Sequence, residues 1–525
     1  MSRPVVDSII GRYQFMRTDP RNLNGCTVDF LIIGGGIHGA AFAREASLRG
    51  CSVVLVERED FACGTSSRSS RLIHGGVRYL EKGHLSLVRE ALHERERLLR
   101  LAPHLVRPLP MLMPFFEKGG KSPLLLKTGL WIYRWLSGRS TLPAPRSYGV
   151  DDCVRLFPRI RTEGLKGGAL FFDARTEDLR LVLANLEDAA ALGARLVNWL
   201  DLTGCVDGRY RLRDRLRDEE IEIIARHTIN AAGPSVDPVR RCLDVDGDDL
   251  VRTSRGSHLV FGPMDSETAL STFLPDGRIQ FVIPHPGGTI CGTTDVDEAP
   301  DDEGVPESDA RYLLDSLGFC LADPPRREDV EFAYTGWRSL PNKRGPAGAL
   351  NREAFIVSES CAGGQVHSIV GGKLTTHRSL AERIINDLIG CADPSPSRSR
   401  PLPGGDGSQE VGDPLWWRHG SATPSIRALS SSDPSWLEPI CPHRDLLRVE
   451  AVHSLRAQGA VTFTDLMLRR LFHSQGPCME ESCLRPLYDL YLAERQFELP
   501  ESFDKSCTEL RAAVAALRGV LRPAD

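Results

Sequence analysis

The chain has 525 residues, which is too many for one compact core, so we expect roughly two to four domains. Apolar residues make up 41% and charged residues 26% of the chain, an ordinary globular composition. The formal net charge of −5 gives no support to a broad nucleic-acid-binding surface, so we expect no nucleic-acid partner.

The 14 cysteines form no CxxC pair and show no metal-type spacing, and Cys478 and Cys483 are the closest two. This usage in a long chain is typical of reduced, packed cysteines, so we predict no metal site. No apolar run reaches the ~18 residues of a membrane-spanning helix, and the N-terminus lacks a signal-type apolar stretch. We therefore expect a cytoplasmic protein that does not span a bilayer.

The first clear pattern is a strand–helix–strand unit that follows the polar, irregular residues 1–27. Residues 28–33 form a short apolar run typical of a buried parallel strand. Residues 40–49 predict a helix of small side chains that ends at Gly50, and residues 52–57 predict a second strand. Together they make a βαβ unit of about 30 residues.

A glycine pattern joins the first strand to the helix. Gly34, Gly36 and Gly39 fit G-x-G-x-x-G, in which the glycines permit a tight turn, a close pyrophosphate and close helix–strand packing. Glu57 ends the second strand, where a carboxylate can accept a hydrogen bond from a ribose hydroxyl. The pattern indicates a dinucleotide site but does not separate FAD from NAD.

The rest of the chain alternates between helical and strand-like segments. An amphipathic helix is predicted from Leu85 to Leu101, and a second α/β stretch begins at Asp173. Residues 195–230 and 256–295 are strand-like, and residues 392–413 are rich in Pro, Ser and Gly. Beyond that stretch, helices are predicted over 447–458, 464–472 and 507–521.

The segment from Thr65 to Leu80, TSSRSSRLIHGGVRYL, closely resembles the family of FAD-dependent glycerol-3-phosphate dehydrogenases, which belongs to the D-amino-acid-oxidase-like flavoproteins. Ser339 stands where that family usually has proline, which leaves the exact substrate open. Further similar motifs follow in family order over about residues 28–395: 228–234 (TINAAGP), 255–258 (RGSH), 292–295 (GTTD), 336–338 (GWR) and 371–376 (GGKLTT). The helical tail resembles the family only weakly, mainly at 464–465 and 469–470.

The resemblance implies an α/β fold with a Rossmann-type FAD-binding domain, an inserted antiparallel β-sheet substrate domain and a C-terminal helical domain. The expected divisions are an N-terminal segment 1–27, a discontinuous FAD-binding domain 28–105, 166–255 and 336–391, a cap domain 106–165 and 256–335, a linker 392–413 and a helical domain 414–525.

The cofactor implied by the resemblance is non-covalent FAD. The residues expected to bind it lie in the glycine motif, in the Thr65 segment and in the two later glycine-containing turns. They are Gly34, Gly36, Gly39, Glu57, Thr65, Ser66, Ser67, Ser70, Gly233, Gly372, Lys373, Leu374 and Thr375.

The implied reaction is oxidation of sn-glycerol 3-phosphate to dihydroxyacetone phosphate, with hydride transfer to flavin N5. Such a reaction needs a base for the hydroxyl proton and a cationic clamp for the phosphate. His258 is the candidate base and His74 a second one, while Arg338 is placed to polarise the C2 oxygen. The expected substrate-binding residues are Arg78, Tyr79, Arg352 and Lys373.

Residues 118–139 combine basic and aromatic side chains and contain no acid. Trp131, Tyr133 and Trp135 among lysines and arginines predict a helix that lies on an anionic membrane surface. The alternative is a buried helix whose lysines extend to solvent. Membrane docking agrees with the resemblance, since related dehydrogenases pass electrons to a membrane quinone. We therefore expect peripheral attachment to the cytoplasmic membrane.

Three points stay open in the sequence. The electron acceptor is a quinone or oxygen, and a homodimer is one option for assembly. A different FAD enzyme of the same fold, acting on an amine or a 2-hydroxy acid, is the main alternative function. A catalytically silent flavoprotein is the other, and His258, Arg338 and Lys373 argue against it.

Overall fold

The computed structural model describes residues 16–80, 83–118, 121–300, 304–343, 354–407, 412–472, 476, 478–497, 499 and 502–521, and only the backbone of residues 78 and 520. This part of the chain forms two large β-sheets, helices packed on them, and a C-terminal helical region. The predicted fold class is thereby confirmed.

The first sheet carries the predicted βαβ unit. The strand Cys26–Ile33 pairs in parallel with both Val53–Glu57 and Glu219–Asn230, and its apolar side chains are buried because both faces of the sheet are covered. The helices Ile37–Leu48, Asp178–Ala191 and His377–Ile389 contribute to the apolar core against it. The remaining strands of this sheet are Arg195–Asn198, Leu200–Val206, Arg209–Asp214, Phe355–Cys361 and Gly364–Val370.

The second sheet is mostly antiparallel. Val251–Phe261 pairs with Val330–Pro341 along nearly its whole length, and Val106–Phe116 pairs with Leu165–Thr176. The other strands are Leu72–Ile73, Arg146–Tyr148, Ala269–Phe273, Ile279–His285, Gly288–Gly292 and Val296–Asp297. The helices Val150–Leu156 and Glu307–Cys320 belong to a core on this sheet.

The sheet pairing departs from the expected domain divisions. The strands Leu165–Thr176 and Leu72–Ile73 pair within the second sheet, whereas residues 166–176 and 72–73 were expected in the nucleotide-binding part. Local patterns could not show this, because the partner strand of Leu165–Thr176 lies far away in the sequence. The expected linker is also packed where it is described: Ser395, Ser397 and Leu402 are buried.

Two helices lie side by side on the second sheet. Leu85–Leu101 has the predicted bounds, and its buried residues include Val88 and Leu92. The helix predicted within 118–139 spans Pro123–Leu136, and Ser122 caps it by accepting a hydrogen bond from the Leu125 N–H at 3.3 Å. Among the described helices, none has both the length and the apolar character needed to cross a membrane.

The C-terminal region is attached to the first sheet through a buried cluster of charges. Asp60, three residues beyond the strand Val53–Glu57, accepts hydrogen bonds from Arg470 Nη1 at 2.8 Å and from Arg469 Nε at 2.6 Å. Both arginines belong to the π-helical segment Asp465–Leu471. The other elements of the region are the helices Pro414–His419, Thr423–Leu429, Arg448–Ala457, Glu481–Glu494 and Phe503–Arg518 and the strands Pro439–Cys441 and Arg444–Leu447. The short helix Val236–Cys242 follows the strand Glu219–Asn230.

Candidate active site

A cavity of about 720 Å³ extends from the glycine-rich turn of the first sheet to the second sheet. Its size lies within the range of ligand sites in proteins. The structure brings to its wall most of the residues predicted from the sequence: Gly34, Gly36, Glu57, Thr65, Ser66, Ser70, His74, Tyr79, Gly233, His258, Arg338, Gly372, Lys373, Leu374 and Thr375.

Each glycine of the first turn is needed for a different steric reason. Gly34 has φ +109°, and a Cβ there would lie 2.7 Å from the Ala231 carbonyl oxygen. A Cβ on Gly36 would lie 2.9 Å from Ser66 Oγ, on the cavity side. A Cβ on Gly39 would collide with the Gly34 carbonyl, so Gly39 serves helix–strand packing and does not line the cavity.

The helix Ile37–Leu48 begins directly at this turn, with Gly36 as its N-cap. The Ile37 N–H donates to Ser66 Oγ at 2.9 Å, so the hydroxyl stands at the helix N-terminus, where the backbone favours an anion. The glycine turn and this helix N-terminus, both on the cavity wall, fit the pyrophosphate of a dinucleotide. Thr65, next to Ser66, donates its Oγ1–H to the Trp337 carbonyl at 2.6 Å and links the turn to the second sheet.

Glu57 is held by the backbone at the end of its strand. Its Oε2 accepts from the Gly35 N–H at 2.7 Å and its Oε1 accepts from the Glu59 N–H at 3.0 Å. Burial raises the pKa of this carboxyl, and the two backbone donors act against that shift. The carboxyl group is therefore fixed beside the glycine turn, on the cavity wall.

A second glycine turn closes the other side of the cavity. Gly371 and Gly372 have φ values of +78° and +107°, which side-chain-bearing residues rarely adopt. Thr375 then bonds the backbone of His74, accepting from its N–H at 3.2 Å. Lys373 Nζ lies 3.8 Å from the ring centroid of Tyr79, a cation–π contact. This turn therefore gathers five predicted site residues in one place: Gly372, Lys373, Thr375, His74 and Tyr79.

His258 lies in the second sheet at the far end of the cavity. It is 2% exposed, its Nε2 lies 2.8 Å from Ser70 Oγ, and its ring stacks on Tyr334 with the centroids 4.9 Å apart. Burial, together with the positive charges of Arg338 and Arg71, lowers the pKa of His258 to about 3. The imidazole is therefore neutral at physiological pH and holds a lone pair for a proton.

Arg338 reaches the cavity from the neighbouring strand, where it pairs in register with Ser254. Its Nη2 donates to Thr293 Oγ1 at 2.7 Å, and its Nη1 lies 3.4 Å from Asp295 Oδ1. The guanidinium passes over Gly256, where any Cβ would collide with it. These contacts fix the orientation of a cation on the same wall as His258.

Besides Gly39, three predicted residues are not brought to the cavity wall or cannot be placed there. Ser67 donates its hydroxyl to the Gly64 carbonyl at 3.3 Å, and it does not line the cavity. Ser66 and Arg68, on either side of it, do line the cavity, and Ser67 was predicted from its place in the same motif. The side chain of Arg78 and the whole of Arg352 lie outside the described residues.

The sequence reasoning missed several cavity residues. Arg68, Arg278, Thr293 and Asp295 line the wall, yet no role was predicted for them. Thr293 and Asp295 belong to a motif that had been recognised by resemblance only. Arg278 follows Asp276 and Gly277, a pair typical of tight turns, and nothing in that local signal indicates a ligand.

The fold and the site define an FAD-dependent oxidoreductase, and comparison with known proteins agrees. Residues 29–378 match the family described as "FAD dependent oxidoreductase". The chain is 33% identical to the glycerol-3-phosphate dehydrogenase of Synechocystis sp., with 87% of this chain and 90% of that protein covered. It is 34% identical to glycerol-3-phosphate dehydrogenase 2 of Mycobacterium tuberculosis, over 84% and 80% of the two chains.

A solved structure extends the similarity to almost the whole chain. The glycerol-3-phosphate dehydrogenase of Bacillus halodurans, solved with FAD, is 26% identical and superposes with a TM-score of 0.74 over 99% of this chain and 98% of that one. The chain belongs to the family of FAD-dependent glycerol-3-phosphate dehydrogenases. It is an enzyme, and FAD is its cofactor.

Proposed function

We propose that this enzyme oxidises sn-glycerol 3-phosphate to dihydroxyacetone phosphate. The observation that carries the proposal is the pairing, on one cavity wall, of a neutral buried histidine with an oriented arginine, His258 and Arg338. The relatives named for this activity support the choice of substrate. When bound, FAD supplies the acceptor for the hydride that leaves C2.

His258 takes the proton of the C2 hydroxyl in this proposal. Its Nε2 faces Ser70 Oγ at 2.8 Å, so the hydroxyl of the substrate would displace or share that contact. Stacking on Tyr334 restricts rotation of the ring and keeps the nitrogen aimed in one direction. Ser70, which we expect at the cofactor, also positions the base in this proposal.

Arg338 stabilises the negative charge that develops on the C2 oxygen as the proton leaves. Its contacts with Thr293 and Asp295 hold the guanidinium in place before substrate arrives, so little reorganisation is needed during the reaction. Its positive charge also helps to keep His258 neutral, as the lowered pKa of that ring reflects.

The phosphate needs at least two cations, whereas one arginine suffices for the carboxylate of a 2-hydroxy acid. Lys373 and Arg278 line the cavity in addition to Arg338, which favours a phosphorylated substrate. Arg78 and Tyr79 complete the proposed clamp from the sequence resemblance. The amine or 2-hydroxy-acid oxidase is therefore the weaker alternative.

We propose membrane attachment through the helix Pro123–Leu136, with a membrane quinone as electron acceptor. One face of the helix is buried, while Trp131 and Trp135 on the other are 59% and 76% exposed. Leu124, at 76% exposure, extends that apolar face. On the buried side, Tyr133 accepts from the Gly75 N–H at 2.7 Å and donates to Asp173, so the helix is tied to the cavity wall.

The test is anaerobic mixing of the FAD-loaded enzyme with candidate substrates while the flavin absorbance is followed. We expect glycerol 3-phosphate to bleach the flavin, and glycerol, glycine and lactate to leave it oxidised. Bleaching by glycine or lactate in place of glycerol 3-phosphate would establish the alternative function.

A further inference from the structure

Three cysteines and a histidine converge in the C-terminal region, outside the cavity described above. Cys441 ends the strand Pro439–Cys441, and His443 lies in the turn that leads to the next strand. Cys478 precedes the helix Glu481–Glu494, and Cys483 lies in its first turn. One ligand atom from each of the four lies within 4.8 Å of all the others.

The separations agree with the edges of a coordination tetrahedron. Nδ1 of His443 lies 3.4 Å from Cys478 Sγ and 3.6 Å from Cys483 Sγ. With Zn–S bonds of about 2.3 Å and a Zn–N bond of about 2.0–2.1 Å, the sulfur–nitrogen edge of a tetrahedron is about 3.6 Å. An isolated thiol–imidazole hydrogen bond would explain one such contact, but not the meeting of all four groups.

The surroundings of His443 also suit a metal ligand. Its second ring nitrogen, Nε2, lies 3.7 Å from the carboxylate of Glu480, so Nδ1 is left to face the sulfurs. Metal-bound histidines typically direct their other nitrogen to such a carboxylate, which fixes the ring and raises its basicity.

We propose that Cys441, His443, Cys478 and Cys483 bind one zinc ion. Three thiolates and one imidazole are a ligand set typical of zinc, and four protein ligands leave no position open for substrate, so the site is structural. The sequence analysis predicted no metal site, because each half, Cys-x-His and Cys-x4-Cys, is uninformative alone and only the fold joins them.

The zinc would tie the hairpin to the helix within one apolar cluster. That cluster contains Ile440, Leu484 and residues of the π-helical segment Asp465–Leu471. The same segment supplies the two arginines that hold Asp60 beside the cavity. Zinc therefore stabilises the C-terminal region that packs against Asp60 on the cofactor side of the enzyme, and it takes no part in the reaction itself.

The experiment uses the full FAD-loaded enzyme, purified without chelator and with any histidine tag removed. We expect metal analysis to find about one zinc per chain, and X-ray absorption at the zinc edge to give three sulfurs at about 2.3 Å and one nitrogen at about 2.0–2.1 Å. Zinc-free wild-type enzyme, a zinc shell without sulfur, or a Cys478–Cys483 disulfide detected by mass would overturn the proposal.

Variants test the ligand set separately. Cys441→Ser and Cys478→Ser should each lose the bound zinc and melt at a lower temperature. Cys507→Ser should keep it, because Cys507 is a buried free cysteine of the same region that lies outside the four. Equal zinc in all three variants would contradict the ligand set. If a ligand variant proves insoluble, the absorption spectrum of the wild-type enzyme decides the question.

Discussion

Replacement of His258 by alanine tests the proposed base. The change removes the ring that faces Ser70 Oγ at 2.8 Å, and with it the acceptor for the C2 hydroxyl proton. A positioned general base contributes about 10²–10⁴ in rate, which equals about 2.7–5.4 kcal/mol of barrier. We expect the rate of anaerobic flavin reduction to fall by that factor, with a smaller change in the affinity for glycerol 3-phosphate.

Ser70→Ala provides the comparison that separates chemistry from positioning. It removes one hydrogen bond to the ring, worth about 0.5–1.5 kcal/mol, so reduction should slow only about 2- to 13-fold. His74→Ala removes the other candidate base from the same cavity and should have little effect on the rate. All rates are taken by stopped-flow absorbance and divided by the FAD content of each variant.

The pH dependence gives a second reading of the same residue. Burial and the charges of two arginines lower the pKa of His258 to about 3. The ring therefore stays neutral as the pH falls, and its nitrogen stays able to accept a proton. The acid-side loss of reduction rate at saturating substrate should therefore be centred below pH 6.5. The reasoning would be refuted if His258→Ala reduced its flavin as fast as the wild-type enzyme. It would also be refuted if the wild-type rate fell with a midpoint at pH 6.5 and His258→Ala showed the same fall.

Three further predictions concern cofactor, clamp and membrane. Gly36→Val should abolish FAD binding, measured as flavin per chain, because the added side chain would lie on the cavity wall where the pyrophosphate is expected to approach. Gly318→Ala should bind FAD normally, because nothing lies within 4 Å of the added Cβ. Arg78→Ala and Lys373→Ala should each weaken substrate affinity by about 13- to 160-fold, since a charge-assisted hydrogen bond contributes about 1.5–3 kcal/mol; unchanged binding in titrations would remove them from the clamp. Joint replacement of Lys118, Lys121 and Lys127 by glutamate should weaken binding to anionic vesicles by at least about 160-fold, at about 1 kcal/mol per basic residue. The same change at Lys166, Lys343 and Lys505 is the control, and equal loss in both triple variants would exclude the helix as the anchor.

Local patterns predicted the strands and the glycine turn that form one side of the cavity. The strand, the glycine turn and Glu57 lie within about 30 residues, and their spacing directly reflects strand and helix geometry. The amphipathic helix Leu85–Leu101 was predicted to the residue, because its apolar repeat and the following proline mark both ends. These elements are decided by short-range periodicity.

Contacts between distant segments could not be predicted. Ser70 and His258 are 188 positions apart, so no local pattern could predict the hydrogen bond between them. Arg278 reached the cavity from a turn that carries no ligand signal, and Leu165–Thr176 joined the second sheet through a distant partner. The Cys441 cluster was missed for the same reason, since its two halves come from separate segments.

The central claim is that the enzyme oxidises a phosphorylated alcohol in this cavity. One anaerobic titration tests this claim most directly. Purified FAD-loaded enzyme is mixed with glycerol 3-phosphate and, in parallel, with glycerol at the same concentration. Two charge-assisted contacts to the phosphate, worth about 1.5–3 kcal/mol each, are absent with glycerol. We predict that glycerol 3-phosphate bleaches the flavin fully and that glycerol leaves it oxidised; a flavin that stays oxidised with glycerol 3-phosphate would contradict the account.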